Sequence, residues 1–473
     1  MSLTGLPNEL LHKIIPHTLP EGFEGLALTC KRFYALCTPF IETHNKLRSR
    51  FHNFTYFDEF NDPRGAVSIK TAWDLIIRIA IEPVVARYIR NADFRRDSIP
   101  VRTRPHPRRG EAVMRLLGDS PHLEQAGLSW KAFHAEIEEK LEEKRYSQSA
   151  AAFLLTLLPN VKKLTLPSYW KADVTTSKLL YTIVVEATQP HQPPWNERSL
   201  AQVTRFEISA SWNLGDRDAL HNSIPFLYLP HLRSFEFYSC IAMGDALLNI
   251  EPQYLYRDYG RALETVDLSC CHIDDAALAS FLKHTPRLKT LKYSHRTKED
   301  TDPSEWDICK FVTAIERETG NHLEQLSISI RELHGSLPLG KVSMRGFQRL
   351  RRLELPLDIA MCDIRLACSE DDQTTEYSQL SIGDLVPASV SQLSLFSRGK
   401  DHHEKALDVL FRNFSAKKHS QVPALREIRL SCPENPAADD AYKEQCAKLA
   451  SEMQKVNMAL VLDWRVDPFH PLF

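Results

Sequence analysis

A short apolar pattern recurs along most of the chain: two apolar residues stand three positions apart, and a third follows two positions later. It occurs at Ile89-Ala92-Phe94, Val161-Leu164-Leu166, Val203-Phe206-Ile208, Leu232-Phe235-Phe237, Leu263-Val266-Leu268, Leu288-Leu291-Tyr293, Leu323-Leu326-Ile328, Leu350-Leu353-Leu355, Val390-Leu393-Leu395, Leu425-Ile428-Leu430 and, more weakly, Asn457-Leu460-Leu462. The alternation over the last three positions predicts a short strand with one buried face. Each connecting segment must then return the chain so that the next strand lies parallel to the last.

One connecting segment predicts a helix especially clearly. Leu263 and Leu288 open two successive copies of the pattern and are 25 residues apart. Between them, Asp274 and Asp275 can cap a helix that Pro286 ends. The inward positions of this helix are Ala277, Leu278, Phe281 and Leu282. The interval therefore predicts a strand and a helix in each regular repeat.

Longer intervals interrupt this spacing. Val161 and Val203 are 42 residues apart, and Leu350 and Val390 are 40 apart, which predicts insertions or helices on the outer face. The Leu-x-x-Leu-x-Leu core resembles that of leucine-rich repeats, whose period is about 20–29 residues, although the Asn that usually follows the strand is mostly missing. The resemblance implies an α/β fold in which residues 83–473 form an irregular leucine-rich-repeat solenoid with a parallel sheet.

The N-terminal residues carry a different, helical pattern. Apolar side chains at helical spacing are Leu6, Leu10, Leu11, Ile14 and Ile15, and a second group is Leu26, Leu28, Cys30, Phe33, Leu36 and Cys37. Pro7 suits the first turn of a helix, and Pro39 is expected to end the second apolar stretch. So few residues bury too little area on their own to offset chain entropy. We therefore expect this segment to need a partner surface.

The same segment resembles the F-box family. Residues that match its pattern are Leu6, Pro7, Glu9, Leu10, Leu11, Ile14, Pro20, Glu21, Leu26, Ala27, Cys30, Lys31, Arg32 and Phe33, within a match from Leu3 to His44. Gly22, Phe23 and Gly25 depart from the pattern, and glycine disfavours a helix interior, so the middle helix is expected to be short. The resemblance implies a three-helix F-box over residues 1–50 that docks on the Skp-type adaptor of a cullin-RING ubiquitin ligase. The implied adaptor-binding residues are Leu6, Pro7, Leu10, Leu11, Ile14, Leu26, Leu28, Cys30 and Phe33.

Residues 51–82 are interpreted as a linker and connecting helix. An aromatic cluster of Phe54, Tyr56, Phe57 and Phe60 is expected to bury the F-box against the next domain. An apolar helix is predicted from Trp73 to Ile81. The proline-rich joints and irregular repeats are similar to those of F-box proteins of filamentous fungi.

Composition and charge narrow the function classes. The chain has 473 residues and a net charge of −2, which gives no general attraction to nucleic acid or to an anionic membrane. No apolar run reaches the ~20 residues of a membrane span, and the first residues lack the basic and apolar segments that a secretory leader is expected to have. The 10 cysteines lack metal-ligand spacing, and we expect free thiols in the cytosol or nucleus. No cofactor or metal is predicted.

No catalytic motif stands out in the chain. The run from Gly335 to Lys341 imitates a phosphate-binding loop, but Val342 occupies the position that needs a hydroxyl for magnesium. We therefore expect a non-enzymatic receptor that holds a protein substrate near a charged conjugating enzyme. Two alternatives are a scaffold that binds the Skp adaptor or other proteins without ligase activity, and a co-receptor that depends on a small ligand.

The predicted substrate site lies on the early repeats. The residue between the second and third apolar positions is Glu207, Glu236 or Asp267 in three successive repeats, and like charges on neighbouring strands suggest a cationic partner. Trp170 and Trp212 each stand six residues after a central apolar residue, and Tyr238 is close to them in this arrangement. The alternative is that Arg205 and Lys292 neutralise the acidic residues and that the tryptophans cover the repeat core.

Overall fold

The chain is described by a computed structural model. It describes residues 3–56, 69–97, 107–189, 198–209, 219–244, 259–297, 306–334, 337–338, 340–362, 382–397, 403–431 and 440–463. The chain divides into two compact units. The first comprises Met1–Ser211 and Asn222–Leu232, and the second comprises Trp212–His221 and Arg233–Phe473.

Helices and short strands follow each other along the chain. The α-helices are α1 (Asn8–Ile14), α2 (Phe23–Thr29), α3 (Lys31–Phe51), α4 (Ala72–Ile81), α5 (Val84–Tyr88), α6 (Pro107–Gly118), α7 (Pro121–Gln125), α8 (Trp130–Glu142), α9 (Gln148–Leu155), α10 (Val174–Thr188), α11 (Ala219–Leu227), α12 (Asp275–Leu282), α13 (Ile308–Thr319), α14 (Ile382–Leu385), α15 (His403–Phe411), α16 (Phe414–Gln421) and α17 (Asp440–Lys455). Short 3₁₀ turns lie at Leu3–Gly5 and Ile15–Thr18, and residues 358–362 are helical. The strands are β1 (Asn53–Thr55), β2 (Asn91–Asp93), β3 (Lys163–Thr165), β4 (Arg205–Ser209), β5 (Ser234–Tyr238), β6 (Ile241–Ala242), β7 (Thr265–Ile273), β8 (Thr290–Arg296), β9 (Gln325–Glu332), β10 (Arg352–Pro356), β11 (Gln392–Phe396), β12 (Glu427–Ser431) and β13 (Ala459–Asp463).

The strands pair in parallel, as the apolar pattern predicts. In the first unit, β1, β2, β3 and β4 are neighbours in that order. In the second unit, β5 is followed by β7, β8, β9, β10, β11, β12 and β13, and β6 pairs with β7 beside this order. The α/β class and the parallel sheet are therefore confirmed.

The central apolar residue of each motif lies inside the protein. Leu164, Phe206, Phe235 and Leu353 have no measurable exposure, because alternate strand residues point to the same face. The helix predicted between β7 and β8 is also present. Asp274 caps α12 by accepting a hydrogen bond from the backbone N–H of Ala277 at 2.8 Å.

The sheet begins earlier than the sequence predicts. Phe51, Phe54 and Tyr56 repeat the apolar spacing with aromatic side chains, and β1 pairs with β2 through Phe54 and Ala92. Phe54 packs against Phe51 and Tyr56 with ring centroids 6.3 and 5.2 Å apart. The first strand therefore lies inside the predicted linker of residues 51–82. Of the expected aromatic cluster, Phe57 and Phe60 lie outside the described residues.

Pro39 does not end a helix, contrary to the sequence prediction. Helix α3 continues through Pro39 to Phe51, and α2 is separated from it by Cys30, whose backbone is extended. The residues after Pro39 include His44, Leu47 and Phe51, which are buried along one face of α3. Tertiary packing of this face offsets the local cost of proline, about 3 kcal/mol in a helix interior.

Candidate functional site

The first candidate site is the N-terminal helical segment, residues 3–51. Its three helices and the turn between α1 and α2 enclose a small core that includes Leu11, Ile15, Leu19, Phe23, Ala27, Phe33 and Cys37. Arg32, at the start of α3, fixes the beginning of the chain: its guanidinium donates to the carbonyl oxygens of Thr4 and Leu6 at 2.6 and 2.7 Å and to Oδ1 of Asn8. One arginine therefore holds the entry to α1 against α3.

The predicted adaptor-binding residues divide into three groups by exposure. Leu11 and Phe33 are each 1% exposed and belong to the core of the segment, so they do not present a contact surface. The half-buried residues are Leu6, Ile14 and Leu26, and the exposed ones are Pro7, Leu10, Leu28 and Cys30. Leu28 is 81% exposed and Leu10 is 46% exposed, which leaves large apolar surfaces in water.

Two further exposed apolar residues were not predicted from the pattern. Leu3 and Tyr34 are about half exposed, and together with Leu10 and Leu28 they form what we call the exposed apolar set. Tyr34 follows the matched Phe33 directly. Because successive helix residues point in different directions, an aromatic residue next to the buried Phe33 in α3 is the signal that would have predicted its exposure. Single exposed apolar residues are common, but a group of them in one short segment is typical of an interaction surface.

The N-terminal helical segment is fixed to α5 and to the residues before β3 in its own unit. The Glu21 carboxylate accepts a hydrogen bond from Nη2 of Arg87 at 2.6 Å and another from the side-chain amide of Asn160. In α3, Nδ1 of His44 lies 2.8 Å from the hydroxyl of Tyr88. Burial raises the pKa of Tyr88 to about 12, so this hydroxyl stays protonated. The contacts position the segment relative to β2 and β3.

The second candidate site is the polar face of the sheet. Residues between the second and third apolar positions lie side by side on neighbouring strands. In the first unit this row is Thr55, Asp93, Thr165 and Glu207. In the second unit it is Glu236, Asp267, Lys292, Ser327, Glu354, Ser394, Arg429 and Val461. We call it the middle row.

The acidic residues of the middle row are largely compensated. Glu207 forms ion pairs with Lys163 at 3.2 Å and with Arg95 at 3.6 Å. Asp267 accepts a hydrogen bond from Ser269 at 2.7 Å and lies opposite Lys292 in the register. The partners of Glu207 thus come from β3 and from the residues after β2. Glu236 and Asp267 are nevertheless direct neighbours, as the sequence predicts.

The aromatic residues of the predicted substrate site do not form a common rim. Trp170 is 9% exposed and packs edge-on against Phe226 with ring centroids 6.0 Å apart, so it covers the repeat core. Trp212 lies outside the described residues. Tyr238 is half-buried, and burial together with a hydrogen bond to Cys270 raises its pKa. Among the described residues of this region, Tyr169 is an exposed aromatic, at 55%, which sequence reasoning missed.

Neither a membrane span nor a metal centre is found in the described residues. No helix there is both long and apolar enough to cross a bilayer, and no group of three or more His, Cys, Asp or Glu side chains is arranged to hold a metal ion. Among known proteins, no family model matches the chain and no curated protein resembles it significantly.

Proposed function

We propose that this protein is a non-catalytic adaptor subunit, an F-box protein with a leucine-rich-repeat-like domain, that recruits a protein substrate to a Skp-cullin-F-box ubiquitin ligase. The observation that carries the proposal is the exposed apolar set on the N-terminal helical segment. Burial of a Leu side chain contributes about 1.5–3 kcal/mol. Leu28, which is 81% exposed, and Leu10, which is 46% exposed, would therefore contribute about 2–4 kcal/mol together on burial against a helical partner surface.

The attachment of the segment to the sheet supports the same proposal. A receptor that works by proximity must hold its cargo at a fixed place relative to the ligase. The contacts of Glu21 with Arg87 and Asn160 and of His44 with Tyr88 hold the N-terminal helical segment against α5 and the residues before β3. Transfer of ubiquitin would then use the reactive cysteine of the conjugating enzyme, with no catalytic group from this chain.

The test is an adaptor-binding measurement with paired variants. Leu10→Asp with Leu28→Asp places two carboxylates in the proposed contact, where a buried unpaired charge costs several kcal/mol. We expect affinity for a Skp-type adaptor, measured by titration calorimetry, to fall at least about 100-fold. Val174→Asp with Met114→Asp is the matched control, because these apolar residues are 64% and 40% exposed but lie in α10 and α6.

Two results would contradict the proposal. One is the absence of adaptor binding by the wild-type protein, and the other is wild-type affinity in the double variant. A scaffold without ligase activity would bind the adaptor in the same way. Blocking the proteasome distinguishes the two: a ligase receptor gives partners that accumulate, whereas a scaffold gives partners whose level does not change.

A further inference from the structure

A polar hollow lies in the second unit at the edge where the strands begin. Its lining residues are Glu324, Gln348, Arg349, Arg351 and Ser389, and its volume is about 290 Å³. These residues come just before neighbouring strands: Arg351, which precedes β10, donates its N–H to the carbonyl of Glu324, which precedes β9, at 2.8 Å. The N–H of Ser391 in turn donates to the carbonyl of Arg351 at 2.9 Å. The hollow is therefore part of the repeat framework.

Charges along this edge alternate before the hollow and stop alternating at it. The residues that follow the first apolar position of each motif are joined by successive backbone hydrogen bonds, and in order they are Arg233, Glu264, Lys289, Glu324, Arg351, Ser391 and Arg426. Up to Arg351 each basic residue has an acidic neighbour, and Lys289 pairs with Glu264 at 3.2 Å. After Arg351 the sequence of charges continues with a serine and a second arginine.

An excess of exposed arginine results from this break. Arg349, Arg351, Arg352 and Arg426 are exposed and form no ion pair with any residue that the structure describes. The nearby Arg345, by contrast, is paired with Asp384. Guanidinium groups bind carboxylates and phosphates through two parallel hydrogen bonds, so unpaired arginines around a hollow form a natural site for an anion.

The spacing and the lining of the hollow distinguish between kinds of anion. Adjacent strands are about 4.8 Å apart, so Arg351 and Arg426, which are two strands apart, stand about 10 Å from each other along the edge. Carboxylates spaced along a peptide can reach these arginines separately. A single compact phosphate would instead concentrate its charge next to the carboxylate of Glu324, where like charges repel.

We propose that the hollow and its arginines bind an acidic segment of a partner protein, with Arg349 and Arg351 as the principal contacts. The amide of Gln348 adds a hydrogen-bond donor beside them. The interpretation of the hollow as the cargo site of an F-box receptor rests on the proposed function. As a binding site for acidic peptide, it can be measured without any adaptor. This proposal predicts an acidic cargo, whereas the neighbouring carboxylates of Glu236 and Asp267 suggest a cationic one.

The experiment measures peptide binding to the full-length protein by fluorescence anisotropy. Three labelled probes are a deca-glutamate peptide, a deca-lysine peptide and a neutral peptide with one phosphoserine. We expect the wild type to prefer deca-glutamate and Arg349→Glu with Arg351→Glu to weaken that binding at least about tenfold. Lys178→Glu with Lys283→Glu changes the net charge equally at two exposed lysines that form no ion pair with described residues, and should weaken it less than about twofold.

Further variants keep the test decisive. Arg349→Gln with Arg351→Gln removes the charges without reversing them. This variant is used instead of Arg349→Glu with Arg351→Glu if the glutamate variant does not fold. Glu324→Gln should strengthen deca-glutamate binding, because it removes the carboxylate that lines the hollow. The proposal is wrong if both arginine double variants bind deca-glutamate as tightly as the wild type, or if the lysine control loses as much affinity as they do. It is also wrong if the wild type binds deca-lysine or the phosphoserine peptide more tightly than deca-glutamate. Adaptor affinity, measured on the same samples, separates failure of this site from failure of the proposed function.

Discussion

Nη2 of Arg87 in α5 donates a 2.6 Å hydrogen bond to the carboxylate of Glu21, although the two residues are 66 positions apart in sequence. Glu21 precedes α2, and its other oxygen accepts a hydrogen bond from the side chain of Asn160. Nη2 of Arg90 lies 3.9 Å from the same carboxylate. One carboxylate thus links the N-terminal helical segment to two later parts of the same unit.

We expect Glu21→Ala to destabilise the protein by about 1–2 kcal/mol, because it leaves the Asn160 amide and the Arg87 guanidinium without their acceptor. Urea unfolding followed by circular dichroism measures this change. Glu9→Ala is the control, since Glu9 is exposed and forms no ion pair with a described residue. A double-mutant cycle with Arg87→Ala should give a coupling energy of about 0.5 kcal/mol or more. Additive effects would show that the contact contributes nothing.

The strands were predictable from the sequence because apolar and polar residues alternate along them, and this alternation indicates which face is buried. Leu164 and Leu353 carry that signal, and both are fully buried. The first strand was missed because Phe51, Phe54 and Tyr56 supply the same spacing with aromatic residues, which also suit a packed joint. Pro39 misled for a related reason: local preference is overridden when a helix face is buried.

The polar sites were less predictable, because their partners come from distant segments. Lys163 and Glu207 become neighbours only through the pairing of β3 with β4. Trp170 is buried because α11 brings Phe226 against it. Sequence spacing indicates which face of a strand a residue occupies, but it does not indicate which side chains from other repeats meet it there.

Stability should separate the core leucine of the N-terminal helical segment from the surface leucine. Leu11→Ala removes a fully buried side chain and should cost about 2–5 kcal/mol of unfolding free energy. Leu28→Ala should change stability by less than about 0.5 kcal/mol, because its side chain is already in water. Thermal unfolding of both variants measures the difference. Equal losses would mean that Leu28 is buried in the protein in solution, and its proposed role as a contact would then fail.

Asp97 gives the protein a dependence of stability on pH. Its side chain is buried and accepts a hydrogen bond from the backbone N–H of Ala72 at 3.0 Å. Burial raises the pKa of Asp97 to about 8, with a smaller contribution from the charge of Asp74. In the unfolded chain the pKa is about 3.9. Between these two pH values the folded state binds a proton at Asp97 that the unfolded state has lost, so the stability of the protein falls as the pH rises from about 4 to about 8.

Asp97→Asn tests this dependence, because the amide oxygen can still accept from Ala72 and cannot ionise. At pH 8 we expect the variant to exceed the wild type by about 1 kcal/mol or more in unfolding free energy. At pH 4.5 the two should be nearly equal. Burial also raises the pKa values of Tyr56 and Tyr146 well above the ordinary range, so neither hydroxyl titrates in this window. Parallel pH profiles for the two proteins would contradict the assignment to Asp97.

Trp170 and Tyr169 should behave differently although they are adjacent. Trp170→Ala removes a buried indole that packs on Phe226, and we expect a loss of about 3–5 kcal/mol in stability. Tyr169 is 55% exposed and contacts the ring of Tyr146 with centroids 6.1 Å apart, so Tyr169→Ala should cost less, about 1 kcal/mol or below. Differential scanning calorimetry measures both. If Trp170→Ala is as stable as the wild type, the indole is free to serve as the contact predicted from the sequence.

Cys30 offers a direct footprint of the proposed adaptor contact. Among the free cysteines of the described residues it is the exposed one, whereas Cys37, Cys240, Cys270, Cys271, Cys309, Cys362 and Cys446 are buried. We expect iodoacetamide to modify Cys30 quickly in the native protein and the buried thiols only on unfolding. A saturating Skp-type adaptor should slow the reaction of Cys30 at least about tenfold, because an interface excludes solvent from its contact residues.

Peptide mass spectrometry reads each thiol separately, including Cys368 and Cys432, which lie outside the described residues. The buried cysteines serve as an internal control, since their modification would report unfolding instead of a change at the surface. In the variant with Leu10→Asp and Leu28→Asp, the adaptor should give no protection, because the contact is lost while Cys30 itself is unchanged. Equal labelling of Cys30 with and without bound adaptor would place the interface elsewhere on the chain.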